Sequence, residues 1–171
     1  MATLEQILSA RDERAGLQAT LIKKYGCPLV SCTMNIPGPE KNSTLIQACF
    51  DKAMGAFAKQ NEGVLDLVLE RRLETGPERY FMVTGGANLH SLKRRLAFFE
   101  QVYPIGRWLD LDVKDLQGSA ISRKDIMLEG RTCLVCKRDA KECARSARHS
   151  IDELDRITLE ALQLFLAKDG A

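Results

Sequence analysis

Apolar side chains recur along the chain at two periods, and the alternation between them predicts an order of elements. Leu4, Ile7, Leu8, Leu17, Leu21 and Ile22 return at helical spacing over Thr3–Tyr25, with Gly16 as a weak point in the middle. On the same segment Arg11, Arg14 and Gln18 stand three and four residues apart and share a polar face. Pro28–Asn35 reads as a buried strand that Pro37-Gly38-Pro39 brings to an end. Ser43 suits a helix N-cap, and Leu45, Ile46, Cys49, Phe50, Ala53, Met54 and Phe57 give the helix that follows one apolar face.

Val64–Glu74 and Arg79–Thr84 then predict a hairpin that turns at Gly76-Pro77 and stops at Gly85-Gly86. A helix over Leu89–Val102, with Leu89, Leu92, Leu96 and Phe99 facing inward, leads to a strand over Arg107–Val113. Ala120–Met127 is a candidate to pair beside that strand. The order strand, helix, strand, strand, helix, strand predicts an α+β fold: a single antiparallel or mixed sheet, helices packed on one face, and helical N- and C-terminal extensions. No repeat or linker divides the chain, so residues 1–171 are expected to form one domain, with a Cys/His cluster at 130–149 and a helix over 150–168 as an appendage.

Composition narrows the choice of function. With 171 residues and 45% of them hydrophobic, the chain can bury a sizeable core. Lys and Arg number 25 against 23 Asp and Glu, a formal charge of +2, which weighs against a protein held on nucleic acid by bulk charge. No apolar run approaches the about 20 residues that span a bilayer. The start, Met-Ala-Thr-Leu-Glu, lacks the basic-then-apolar pattern of an export signal. The expectation is a cytoplasmic protein with no membrane or nucleic-acid partner. Cys27, Cys32 and Cys49 lie in apolar surroundings and read as reduced core thiols.

Three constellations carry candidate chemistry. Asp110 and Asp112, two apart on a strand, project from one face. Asp is disfavoured in strands, and paired carboxylates repel unless a cation neutralises them. They are therefore a candidate Mg²⁺ clamp for phosphoryl or nucleotidyl transfer, set against the plainer reading of a solvent-facing strand edge. Asn35–Ser43 is a rigid turn feeding a helix N-terminus, where Lys41 and Ser43 could cradle a phosphate or merely form a capped turn. Cys133, Cys136, Cys143 and His149 make a Cys₃His set within 17 residues, consistent equally with a structural Zn²⁺ site and with a cluster of reduced thiols. The basic run Lys93-Arg94-Arg95 opens the second core helix, with Arg94 and Arg95 read as solvated.

Taken in order, Arg-Asp-Glu-Arg, Pro-Leu-Val-Ser, Pro-Gly-Pro-x-Lys-x-Ser, Pro-Ile-Gly-Arg-x-x-Asp-x-Asp-Val, Ser-Arg-Lys-Asp and Arg-x-Cys-Leu-x-Cys resemble the apo-citrate lyase phosphoribosyl-dephospho-CoA transferase family from about Ser9 to His149. The resemblance implies a nucleotidyltransferase that moves 2′-(5″-phosphoribosyl)-3′-dephospho-CoA from its triphosphoribosyl precursor onto a serine of the citrate lyase acyl carrier (gamma) subunit, releasing pyrophosphate. On the matching positions, Asp110 and Asp112 would hold Mg²⁺, and Asp125 would add a third carboxylate. Arg11, Arg14, Lys41, Ser43, Lys93, Arg107 and Arg123 would clamp the triphosphate. The chain departs from the family pattern His-Pro-Leu-Gly-Arg-Leu-Trp-Asp: Tyr103 stands where the family has His, and Trp108 is displaced by one position, which predicts that it faces the other side of the strand. Two other classes of function stand beside the transferase: a small zinc-bearing adaptor for a protein partner, and a nucleic-acid binder, against which the charge weighs.

Overall fold

The computed structural model describes residues 2–168; Met1 and 169–171, which fall within the expected domain bounds, lie outside the described residues. Helix α1 (Leu4–Tyr25) opens with a capping box, Thr3 accepting from the Gln6 backbone while the Gln6 side chain accepts from Thr3. Strand β1 (Leu29–Met34) follows, then α2 (Thr44–Gln60), β2 (Leu65–Leu73), β3 (Gly76–Val83) and α3 (Leu89–Val102). A 3-10 turn over Gly106–Trp108 leads into β4 (Leu109–Lys114), short β5 (Ala120–Ile121), α4 (Ala140–Arg145) and α5 (Ile151–Ala167). The class is α+β, as expected. All pairings in the sheet are antiparallel, in the order β2-β3-β1-β4-β5.

Side-chain alternation divides the sheet cleanly. Val30, Cys32, Phe81, Val83, Leu109, Leu111 and Val113 face α2, α3 and α5 and form the main core with Phe50, Phe57, Leu96, Phe99 and Leu162. Phe57 meets Phe81 and Phe99 edge-on, each at 5.5 Å between ring centres, a favoured aromatic arrangement. The C-terminal helix α5 contributes Leu162 and Phe165 to this core. Cys32 and Cys49 are buried free thiols and Cys27 is a half-buried one.

The opposite face carries α1, and there apolar and polar contacts are mixed. Leu21 and Ile22 pack on Leu29 and Tyr80, but Gln18 donates to Ser31 at 2.9 Å and Arg14 pairs with buried Glu78 at 2.7 Å. Polar side chains of α1 therefore share the contact with Leu21 and Ile22, and Leu4 and Leu8, expected inside, are 73% and 50% exposed. Two further expectations shift. The hairpin turns at Glu74-Thr75, with Gly76-Pro77 inside β3, because Gly76 supplies the positive φ of 120° one residue past the turn. The segment beyond β4 pairs only at Ala120–Ile121 and then forms a 3-10 turn over Lys124–Ile126.

Candidate active site

In the register of β1 with β4, Ser31 stands opposite Asp112 and Thr33 opposite Asp110. Both carboxylates thus rise from the face that α1 crosses, as their spacing predicts. Asp110 is 46% and Asp112 51% exposed.

The outer edge of β4 explains what surrounds them. Strand β5 pairs with Val113 and Lys114, so among the described residues the backbone of Leu111 has no strand partner on that side. Buried backbone groups need partners, and two side chains of α3 serve: the Leu111 N–H donates to Glu100 Oε1 at 2.9 Å, and Lys93 Nζ donates to the Leu111 carbonyl at 2.7 Å. Lys93 Nζ also lies 3.4 Å from Asp112 Oδ1. Glu100 is buried and accepts from Arg123 at 2.6 Å and Arg131 at 2.5 Å, and Arg131 donates again to Asp110 at 3.0 Å. Arg107 donates to the Thr132 carbonyl, and burial beside Arg131 and Arg123 holds its pKa below the usual value. Burial, and then the neighbouring Asp112, push the Asp110 carboxyl up, with Arg131 opposing.

Asp110, Asp112, Lys93, Arg107 and Arg123, all named from sequence, therefore converge. Glu100 and Arg131 were not foreseen. The signal for Glu100 was its phase, since it falls seven residues after Lys93 on the inward stripe of α3. Asp125 is held elsewhere: it accepts from the Ser122 N–H and Oγ, both at 2.7 Å, and these bonds keep its carboxyl below the usual range. The third carboxylate beside the pair is Glu100 where the sequence suggested Asp125.

On the α1 side a polar cleft of about 130 Å³ leads to Asp110 and is lined by Arg11, Arg14, Lys41, Thr33 and Asn35. Arg14 is anchored by Glu78, whose second oxygen accepts from the Tyr80 hydroxyl at 2.5 Å. Lys41 donates to the Ile36 carbonyl, and burial lowers its pKa, with Asp155 opposing and Arg11 adding to the effect. Ser43 does not line the cleft; its Oγ accepts from the Ile46 N–H at 3.4 Å and caps α2.

The Cys/His cluster sits just beyond Arg131. One donor atom from each of Cys133, Cys136, Cys143 and His149 lies within 4.8 Å of all the others, close enough to hold a metal ion.

The family model described as apo-citrate lyase phosphoribosyl-dephospho-CoA transferase matches residues 2–164. The chain belongs to this family. A probable apo-citrate lyase phosphoribosyl-dephospho-CoA transferase of Vibrio cholerae serotype O1 (strain M66-2) is 38% identical over 155 residues, 89% of this chain and 86% of the relative. One from Streptococcus pyogenes serotype M5 (strain Manfredo) is 35% identical over 171 residues, 98% of this chain and 88% of the relative. Protein CitXG of Haemophilus influenzae is 40% identical over 156 residues, 89% of this chain and 33% of that protein. The chain is thus an enzyme of the transferase class, as its motifs imply.

The departures from the family pattern have physical settings in this transferase. Tyr103 stacks on Phe99 at 4.6 Å and meets Phe165 edge-on at 5.6 Å, so its ring serves the core. Trp108 precedes β4 in the 3-10 turn and is buried on the α5 side, its Nε1 donating to Thr158 Oγ1 at 2.9 Å.

Proposed function

We propose that this transferase attaches 2′-(5″-phosphoribosyl)-3′-dephospho-CoA to a serine of the citrate lyase acyl carrier subunit, using the triphosphoribosyl precursor. The observation that carries this reading is the cleft in which Arg11, Arg14 and Lys41 face Asp110. Guanidinium and ammonium groups there suit a triphosphate, and Lys93, Arg107 and Arg123 extend the positive charge around the carboxylate pair.

The serine oxygen forms a bond to the α-phosphorus as the bond to pyrophosphate breaks, and the hydroxyl proton passes to the Asp110–Asp112 pair. Arg11 and Arg14 bind the departing phosphates, with Glu78 anchoring Arg14. The paired, half-exposed carboxylates supply the hard oxygen donors that Mg²⁺ prefers. Held there by Asp110 and Asp112, Mg²⁺ would polarise a phosphoryl oxygen and offset the charge that builds on the leaving group. The soft donors of the Cys/His cluster suit Zn²⁺ instead.

Acyl carriers are generally acidic, and Arg94 and Arg95 stand exposed on α3 beside exposed Phe98, a basic and apolar strip for docking. Arg71 and Arg72 are engaged in ion pairs with Glu13, Glu78, Asp51 and Glu70. A cytoplasmic location belongs to the same reading, and no helix among the described residues is long and apolar enough to cross a membrane.

The test is the intact mass of the apo carrier subunit after incubation with the protein, the triphosphoribosyl precursor and Mg²⁺. A gain equal to one phosphoribosyl-dephospho-CoA group, matched by one pyrophosphate, is expected. No gain, beside a working control transferase, overturns the reading. An adaptor would bind its partner without any change in mass.

A further inference from the structure

We infer that Cys133, Cys136, Cys143 and His149 bind one structural Zn²⁺, and that this ion positions Arg131 and Arg107 at the Asp110–Asp112 pair; the second half rests on the site proposed above. Four features of the cluster point to a metal. The donor set is Cys₃His, a common structural zinc set, and its atoms lie within 4.8 Å of one another. Zn–S bonds of about 2.3 Å place tetrahedral ligand atoms about 3.8 Å apart, so a small contraction completes the site. Cys133 and Cys136 bracket a tight turn in which the Val135 N–H points at Cys133 Sγ (3.4 Å), and Lys137, the residue just past it, takes a φ of 60°. The His149 Nδ1 is held at 3.3 Å by Glu153, while its Nε2 is buried with no hydrogen-bond partner among the described residues. A buried nitrogen left without a partner is costly. A carboxylate fixing one imidazole nitrogen so that the other faces a metal is a recurring arrangement.

A disulfide is the competing reading, because Cys136 Sγ and Cys143 Sγ are 3.4 Å apart. It would join two of the four donors and leave Cys133 and the orphaned His149 Nε2 unexplained.

The link to the active site runs through the chain itself. Cys133 donates its N–H to the Arg138 carbonyl at 2.6 Å, and Ala140 donates to the Arg131 carbonyl at 2.9 Å. The next carbonyl, that of Thr132, accepts from Arg107, and the Arg131 side chain reaches Glu100 and Asp110. A metal that ties Cys133 and Cys136 to Cys143 on α4 and His149 before α5 thereby fixes the backbone from which both arginines are held.

The experiment measures zinc in the full chain purified without a metal-affinity step. About one equivalent is expected, with Co²⁺ exchange giving a thiolate charge-transfer band. Less than about a tenth of an equivalent that zinc addition does not restore, or a Cys136–Cys143 disulfide in freshly alkylated protein, overturns the metal site. Because Cys143→Ser could impair folding, Glu153→Gln is the milder arm: it keeps all four ligands and should lose zinc to a chelator about tenfold more readily. Unchanged retention contradicts the proposed support of His149. For the positioning claim, the side-chain Nε–H NMR signals of Arg107 and Arg131 should shift or broaden on zinc removal while amides of β1 and β3 hold. Unmoved arginine signals overturn it. None of these readouts depends on transfer, so failure of the proposed reaction would be seen separately, in the carrier-mass assay.

Discussion

The carboxylate of Glu100 on α3 holds the backbone N–H of Leu111 on β4 at 2.9 Å, and the same carboxylate binds Arg123 and Arg131. One buried acid thus finishes a sheet edge and orients two of the guanidinium groups around Asp110 and Asp112. Glu100→Gln removes the charge those groups share. Since both arginines keep some solvent contact, a loss on the order of 3 kcal/mol is expected, at the lower end for a broken buried ion pair. Urea unfolding measures it; a loss below about 0.5 kcal/mol, the usual scatter of surface changes, would contradict the account.

Gly106 is needed for closeness. A Cβ built there would lie 2.5 Å from the Glu100 carbonyl oxygen and 2.6 Å from that of Phe99. Both are backbone atoms of α3 and cannot swing aside. Gly106→Ala is expected to cost about 1–3 kcal/mol, as overpacking does. It should also lower transfer by displacing Arg107 and β4. Thermal unfolding within experimental error of wild type would contradict this.

The Asp110 carboxyl is held above its usual range, first by burial and then by the charge of Asp112. Both effects oppose the ionised form, so Asp110 takes up its proton at higher pH than an ordinary aspartate, and activity that needs the carboxylate should fall off early on the acid side. Asp112→Asn removes a neighbouring negative charge and should lower the Asp110 pKa, read by ¹³C NMR of the side-chain carboxyl. A rise, or no change, contradicts the coupling. The linked stability has a definite sign: the folded state binds the proton more tightly than the unfolded one. Stability from this group is therefore full below the unfolded pKa and is lost as pH rises through the raised folded value.

Ser43 separates a structural from a substrate role. Its Oγ accepts from the Ile46 N–H as the N-cap of α2. Ser43→Ala should cost about 1 kcal/mol of stability. The KM for the triphosphoribosyl precursor should stay unchanged. A KM rise of about tenfold, equivalent to about 1.4 kcal/mol of lost binding, would return Ser43 to the phosphate site.

What the sequence made legible follows from how each element is stabilised. Helices α2 and α3 bury one apolar stripe against the sheet, so Ile46, Phe50, Phe57, Leu92, Leu96 and Phe99 announce them. Helix α1 meets the sheet through Arg14 and Gln18 as well as Leu21 and Ile22, so its apolar periodicity marked the buried C-terminal half correctly but also pointed to Leu4 and Leu8, which face water. The cleft between α1 and the sheet was hidden for the same reason. Asp110 and Asp112 were legible because a strand's period of two fixes their common face. Glu100 and Arg131 were not, because an acid on a helix and an arginine in a loop look like surface residues until the edge of β4 shows that Glu100 serves the Leu111 N–H and that Arg131 bridges Glu100 to Asp110.

The most direct test of the central claim is kcat/KM for carrier modification by Asp110→Asn, measured beside its thermal unfolding. Burial and Asp112 both disfavour the Asp110 charge, so the variant should unfold at or above the wild-type temperature at pH 7. Its kcat/KM should fall about 10²-fold or more, the scale seen when one preorganised electrostatic group is lost from an active site. Transfer within about threefold of wild type, a change of under 1 kcal/mol in transition-state stabilisation, would contradict the assignment of the Asp110–Asp112 pair as the site of transfer.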